Sequence, residues 1–121
     1  MLIQVLKSKI HRATITGKNL HYSGSLRVDP LLLEKAGLRE HEVVLVVDVN
    51  NGSRHETYLQ VGEPGSGEVS LQGAAARLGE VGDLVIVMGF AWCTPEEADR
   101  IDARIVLVNE RNEFTGYLDK T

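Results

Sequence analysis

Residues 42–49, EVVLVVDV, followed at once by Asn50-Asn51-Gly52 and then by Ser53 to Val61, constrain the fold more than any other stretch. Six of the eight residues from 42 are valine or leucine, too β-branched and too short for a helix to be favoured. An Asn-Gly step between two such runs is a hairpin turn signal, because both residues tolerate a left-handed backbone. The chain is therefore built around an antiparallel strand pair. The sequence must supply further strands, since a lone hairpin is marginal in water.

Those strands are readable on both sides. Residues 2–16 mix Ile10, Ala13 and Ile15 with Lys9, His11, Arg12, Thr14 and Thr16, which predicts one long or bent strand. Gly17-Lys18-Asn19 reads as a turn, Leu20 to Tyr22 as extended again, and Leu26 to Val28 as a short strand. Asp29-Pro30 opens a brief helix carrying Leu31, Leu32, Leu33 and Ala36, and Gly37 ends it. Residues 62–67 read as a loop without packing content. Val69 to Leu71 is a short strand, residues 73–78 one or two helical turns, and Leu84 to Trp92 a second buried strand. Thr94-Pro95-Glu96-Glu97 is a capping box, Ala103 to Val108 the last clear strand, and the tail from Asn109 reads as polar and frayed. The expectation is a mainly β single domain over 1–121, a small mixed barrel of six or seven strands with short helices.

Thirteen basic against seventeen acidic residues, with no basic run and few aromatics, argue against a nucleic-acid partner. Cys93 is the only cysteine, so no intrachain disulfide forms. No apolar run is long enough for a membrane-spanning helix, and the N-terminus does not read as a signal peptide, so a cytoplasmic protein is expected. There is no phosphate-binding loop, no dinucleotide fingerprint and no zinc-ligand spacing. His11, His21, His41 and His55 are scattered, so no metal is expected.

Three Gly-Ser pairs occur, at 24–25, 52–53 and 65–66, and any one alone is a turn element. The first stands apart because it lies between two extended segments and because Lys9-Ile10-His11-Arg12 and Arg54-His55-Glu56-Thr57-Tyr58 accompany it. With KIHRATIT at 9–16, LHYSGSLRVD at 20–29, NNGSRHETY at 50–58, GAAAR at 73–77 and, more weakly, VGDLVIVM at 81–88, the chain resembles the pyruvoyl-dependent aspartate decarboxylases over nearly its whole length.

The resemblance implies a double-psi β-barrel, a homotetramer with active sites between subunits, and conversion of L-aspartate to β-alanine in pantothenate biosynthesis. It implies self-cleavage between Gly24 and Ser25 into a 1–24 β-chain and a 25–121 α-chain, Ser25 becoming the covalent pyruvoyl group that forms a Schiff base with substrate. Gly24 would ease the cleavage by accepting a strained backbone. By the same resemblance Tyr58 is the proton donor and Thr57 polarises the Gly24 carbonyl. Arg54 grips a substrate carboxylate, Lys9 and His11 line the anion-binding side, and Tyr22 and the backbone of Gly73, Ala74 and Ala75 complete the pocket. Gln72 departs from the family's usual asparagine. It implies slower processing, or the help of a maturation partner, unless the local backbone compensates. Val47 and His55 stand where bulky aromatics are common. Competing readings are a barrel that never cleaves, glutamate as substrate, and Ser25 as a direct hydrolase nucleophile. The last lacks a visible acid–His pairing.

Overall fold

The computed structural model describes residues 1–119. Among these residues nine strands form one sheet in the spatial order β2-β6-β3-β5-β4-β7-β1-β8-β9. They are β1 (Ile3–Thr14), β2 (Gly17–Asn19), β3 (Ser25–Val28), β4 (Val43–Asp48), β5 (Arg54–Val61), β6 (Val69–Gln72), β7 (Leu84–Cys93), β8 (Arg104–Val108) and β9 (Phe114–Leu118). Helices α1 (Pro30–Ala36) and α2 (Pro95–Ala98) and a 3-10 turn at Gly73–Arg77 punctuate them. Parallel pairs β1/β8, β2/β6 and β3/β5 lie among antiparallel ones, and the fold is a double-psi β-barrel with short helices.

The hairpin forms as read. Val43 pairs with Tyr58 and Val47 with Arg54, and the Asp48 carboxylate accepts from the backbone N–H of Asn50 and Asn51 at 2.8 and 3.1 Å, tying the turn. The long first strand bends at two bulges, between Leu6 and Ser8 and between Ile10 and Ala13. At the second bulge, Arg12 takes a positive φ of 62°. Inward side chains of alternate positions (Ile10, Leu26, Val28, Val44, Val46, Leu59, Val69, Leu71, Val85, Val87 and Val106) fill one core with Leu32 and Leu33 of α1. Burying each such side chain is worth ~1.5–3 kcal/mol before entropy is charged against it. Asp29 caps α1 by accepting from Leu31 N–H, and Gly37 closes it in the left-handed conformation. The Thr94–Glu97 capping box is present in both directions.

Four expectations fail, three of them for a long-range reason. Gly17–Asn19 is not a turn but a strand, because β6 offers it a parallel partner. Leu20–Tyr22 is the turn instead: Asn19 Oδ1 accepts from His21 N–H and Asn19 O from Tyr22 N–H. The 62–67 loop is packed rather than empty, since Asp29 also accepts from Gly65 N–H and Gly67 N–H at 3.1 and 2.9 Å. As far as Leu118 the tail does not fray: Val108 pairs with Phe114 and Ile105 with Leu118, and residues 120–121 lie outside the described residues. Buried Asn112 clamps that return, bonding Thr14 N–H, Thr14 O and Gly67 O, each at 2.8 Å. The sheet accordingly has nine strands where six or seven were read. Among the described residues no helix is long and apolar enough to cross a membrane.

Candidate functional site

Ser25 begins β3 and is wholly buried, while the residues before it, His21 to Gly24, are exposed. The chain thus passes from solvent into the sheet across the Gly24–Ser25 bond. Ser25 is held from both sides. It pairs with Gln72 of β6, and β5 runs parallel on the other side with Leu26 opposite Leu59. Continued by one residue, that register sets Ser25 level with Tyr58.

Alternation then defines a polar face. Leu26, Val28, Leu59, Val69 and Leu71 point into the core, so Ser25 and Arg27 share the other face with Gln72 and Ser70 of β6 and with Tyr58 and Gln60 of β5. On it the Ser25 hydroxyl donates to Gln60 Oε1 at 2.7 Å. Ser70 Oγ donates to Glu68 Oε2 at 2.6 Å and accepts from Gln72 Nε2 at 2.8 Å. The direction of that row follows from its end: a carboxylate only accepts, so Ser70 donates to it and Gln72 must donate to Ser70. Gln72 is buried and its Oε1 is without a partner among the described residues. The Arg27 guanidinium lies 5.5 Å from the Tyr22 ring centroid, so Tyr22, though 53% exposed, is stacked on this face.

Gly73 is pressed against the segment that leads into Ser25. Its φ is +75°, and a Cβ there would stand 2.6 Å from Gly24 Cα, 2.7 Å from Gly24 N and 2.7 Å from Tyr22 O. Only glycine lets the Gly73–Arg77 turn lie against the segment that leads into Ser25. The strain expected at Gly24 is not there. Gly24 is not among the positive-φ glycines, and a Cβ on it would meet only Gln72 O, at an ordinary 3.6 Å. Ala74 is exposed and Ala75 half-buried on the turn that Gly73 opens.

The remaining predicted residues divide. Tyr58 is half-buried, with the His41 ring edge-on at 6.1 Å between centroids, and Arg54 is exposed at the start of β5. Lys9 and His11 lie elsewhere, on β1, where they pair with Met88, Ile105 and Leu107. In the sheet order β5, β4 and β7 intervene between β3 and β1. His11 Nδ1 is buried without a partner among the described residues, and burial, then the Lys9 and Arg12 charges, hold its imidazole below the usual histidine range. Burial does the same to His55, which pairs with buried Val46. Beside His11, whose imidazole is held toward its neutral form, the neighbouring cations are Lys9 and Arg12; Lys7, also on β1, is paired with Glu42.

The sequence reading missed Gln60, Arg27 and the Glu68–Ser70 row. Only the β3/β5/β6 register joins them to Ser25, and no local pattern encodes it. Two concavities of the single chain leave Ser25 out. One, of about 330 Å³, lies between α1, the 65–67 loop and Phe114. The other, of about 470 Å³, is lined by His11, Arg12, Leu107 and Glu110 among others.

The sequence model described as aspartate decarboxylase matches residues 1–115. The chain is 52% identical over 120 residues to an aspartate 1-decarboxylase of Caldicellulosiruptor saccharolyticus, covering 99% of this chain and 94% of that protein. It is 51% identical, with the same coverage, to the aspartate 1-decarboxylase of Caldicellulosiruptor bescii. Against that of Lactiplantibacillus plantarum the identity is 49% over 115 residues, 95% of this chain and 88% of the relative.

Proposed function

The chain belongs to the aspartate decarboxylase family, and from that premise we propose that it converts L-aspartate to β-alanine with a pyruvoyl group made from its own Ser25. The observation that carries the reading is the setting of Ser25: a wholly buried serine at the head of a strand, reached through an exposed segment against which Gly73 leaves no room for a Cβ.

That setting fits self-cleavage. Ser25 Oγ attacks the Gly24 carbonyl carbon; the new C–O bond forms as the C–N bond breaks, and the hydroxyl proton passes to the freed amine. Elimination removes the Ser25 α-proton and expels residues 1–24 as a carboxylate. Water then displaces the nitrogen as ammonia and leaves a ketone. Thr57, next to Tyr58 on β5, is the group suited to polarising the carbonyl. Gly24 contributes an acyl carbon unshielded by a side chain rather than a strained backbone. The 25–121 α-chain keeps its new terminus in place through pairing with β5 and β6, and the 1–24 β-chain stays in the sheet through β1 and β2.

A pyruvoyl group there supplies the electron sink that α-decarboxylation requires and that no unmodified side chain offers. Arg54 suits a substrate carboxylate through its planar fork, and Tyr58, level with residue 25, delivers the proton to the substrate carbon. The backbone of Gly73 to Ala75, with Tyr22, bounds the substrate. Lys9 and His11, three strands away in the same chain, serve a pocket completed by a neighbouring subunit. Trp92 and Val43, 67% and 59% exposed, are apolar surface for such an assembly, which the family resemblance makes a homotetramer. A maturation partner would act on the exposed 21–24 segment. The proposed setting is cytoplasmic, in the supply of β-alanine for pantothenate.

Reductive trapping tests the reading. Borohydride added during turnover of labelled aspartate should fix label on the 25–121 fragment. Label that stays free, or faster amine production from glutamate than from aspartate, would overturn it.

A further inference from the structure

We propose that Gln60 is a positioning residue for self-cleavage, holding the Ser25 hydroxyl in the rotamer from which it attacks Gly24. The inference rests on the reading of Gly24–Ser25 as the scissile bond.

A serine hydroxyl has three staggered positions, and a buried one must find an acceptor. Among the described residues, the acceptor for Ser25 Oγ is Gln60 Oε1, at 2.7 Å. The other amide beside Ser25, that of Gln72, is turned toward Ser70 by the row ending at Glu68. Thr57 makes no side-chain hydrogen bond among the described residues. Gln60 is itself fixed, since it pairs with Arg27 two residues beyond Ser25, and its side chain reaches back along the shared face.

The chemistry of an amide limits what Gln60 does. A neutral amide oxygen accepts a hydrogen bond but does not take the proton at neutral pH. Gln60 therefore orients and polarises the hydroxyl, whose proton goes to the Ser25 nitrogen as the C–N bond breaks. Once Ser25 has lost its oxygen to the 1–24 carboxylate, Gln60 has nothing left to hold. Its influence is confined to maturation and separates from turnover.

The experiment follows cleavage of freshly purified full-length chains by intact mass, alongside β-alanine production per cleaved subunit. Gln60→Met, similar in length but without the acceptor, should cleave roughly tenfold or more slowly, in line with the cost of misaligning a positioned reaction. Its turnover per cleaved subunit should stay within about twofold of wild type, far less than that misalignment cost. Gln60→Glu restores the acceptor and adds a base. Its cleavage should recover and acquire a pH dependence absent from wild type, slowing as the carboxylate protonates. Gln60→Met cleaving at the wild-type rate, or Gln60→Glu as slow as Gln60→Met at every pH, would overturn the proposal. If Gln60→Met does not fold, Gln60→Asn decides: its amide is drawn back by one methylene, so slow cleavage supports the proposal and wild-type cleavage refutes it. A wild-type chain that never cleaves overturns the underlying reading; a cleaving wild type with an indifferent Gln60 overturns only this one.

Discussion

Replacing Gly73 by alanine tests whether the fold shapes the scissile segment. A Cβ there would meet Gly24 Cα at 2.6 Å, with Gly24 N and Tyr22 O at 2.7 Å. Ordinary contact begins near 3.4 Å, so the two segments must part by about 0.8 Å, and the obstructing atoms are backbone, which cannot rotate aside. Alanine at φ +75° adds a left-handed penalty of about 1–2 kcal/mol. That penalty lowers the melting midpoint by roughly 3–8 °C in a chain of this size. Displacing reacting atoms by about an ångström costs ~100-fold in rate, so Gly73→Ala should remain folded and cleave roughly 100-fold more slowly. Gly82→Ala is the matched control. Its φ is +95° and nothing lies within 4 Å of its Cβ, so it carries the backbone penalty without the clash. Intact-mass time courses and thermal melts on both variants separate the effects. Equal cleavage rates for Gly73→Ala and Gly82→Ala would refute the reasoning.

Other perturbations follow from the same geometry. Ser25→Ala should abolish both cleavage and decarboxylation, and β-alanine formed by an uncut chain would contradict the mechanism. Tyr58→Phe should cleave normally, since its hydroxyl enters only at protonation, yet decarboxylate poorly; intact mass with a β-alanine assay reads both. Asn112→Ala removes the bonds to Thr14 and Gly67 and should cost about 3 kcal/mol in urea unfolding, because it strands buried backbone groups. His11 and His55 are both held below their usual range, so the unfolded chain binds more protons than the folded one as pH falls. Stability should be full above the ordinary histidine value near 6.5 and decline as pH drops through it, and His55→Phe should flatten that decline in pH-dependent melts.

What the sequence revealed was local. The β-branched run at 43–48, the Asn-Gly turn, Asp29-Pro30 before α1 and Thr94-Pro95 before α2 each carry their own signal, and each appears in the structure. The misread elements owe their form to distant partners. β2 is a strand because β6 lies beside it, the 62–67 loop is ordered by Asp29, and β9 is returned by an asparagine buried against Thr14. The site divides along the same line. HYSGS and the Arg54–Tyr58 cluster were legible by family resemblance, whereas Gln60 and Arg27 enter only through strand register. The misplaced strain is instructive: glycine beside a serine drew attention to residue 24, but the left-handed backbone belongs to residue 73, pressed against it from another strand's end.

The central claim, that Ser25 becomes the catalytic ketone, is tested most directly by intact mass of the purified wild-type protein. The account predicts two chains, residues 1–24 and 25–121, the larger lighter by one ammonia than a chain beginning with serine and reactive toward hydrazine. A single uncut chain, or a 25–121 fragment that begins with an unmodified serine yet still makes β-alanine, would contradict it.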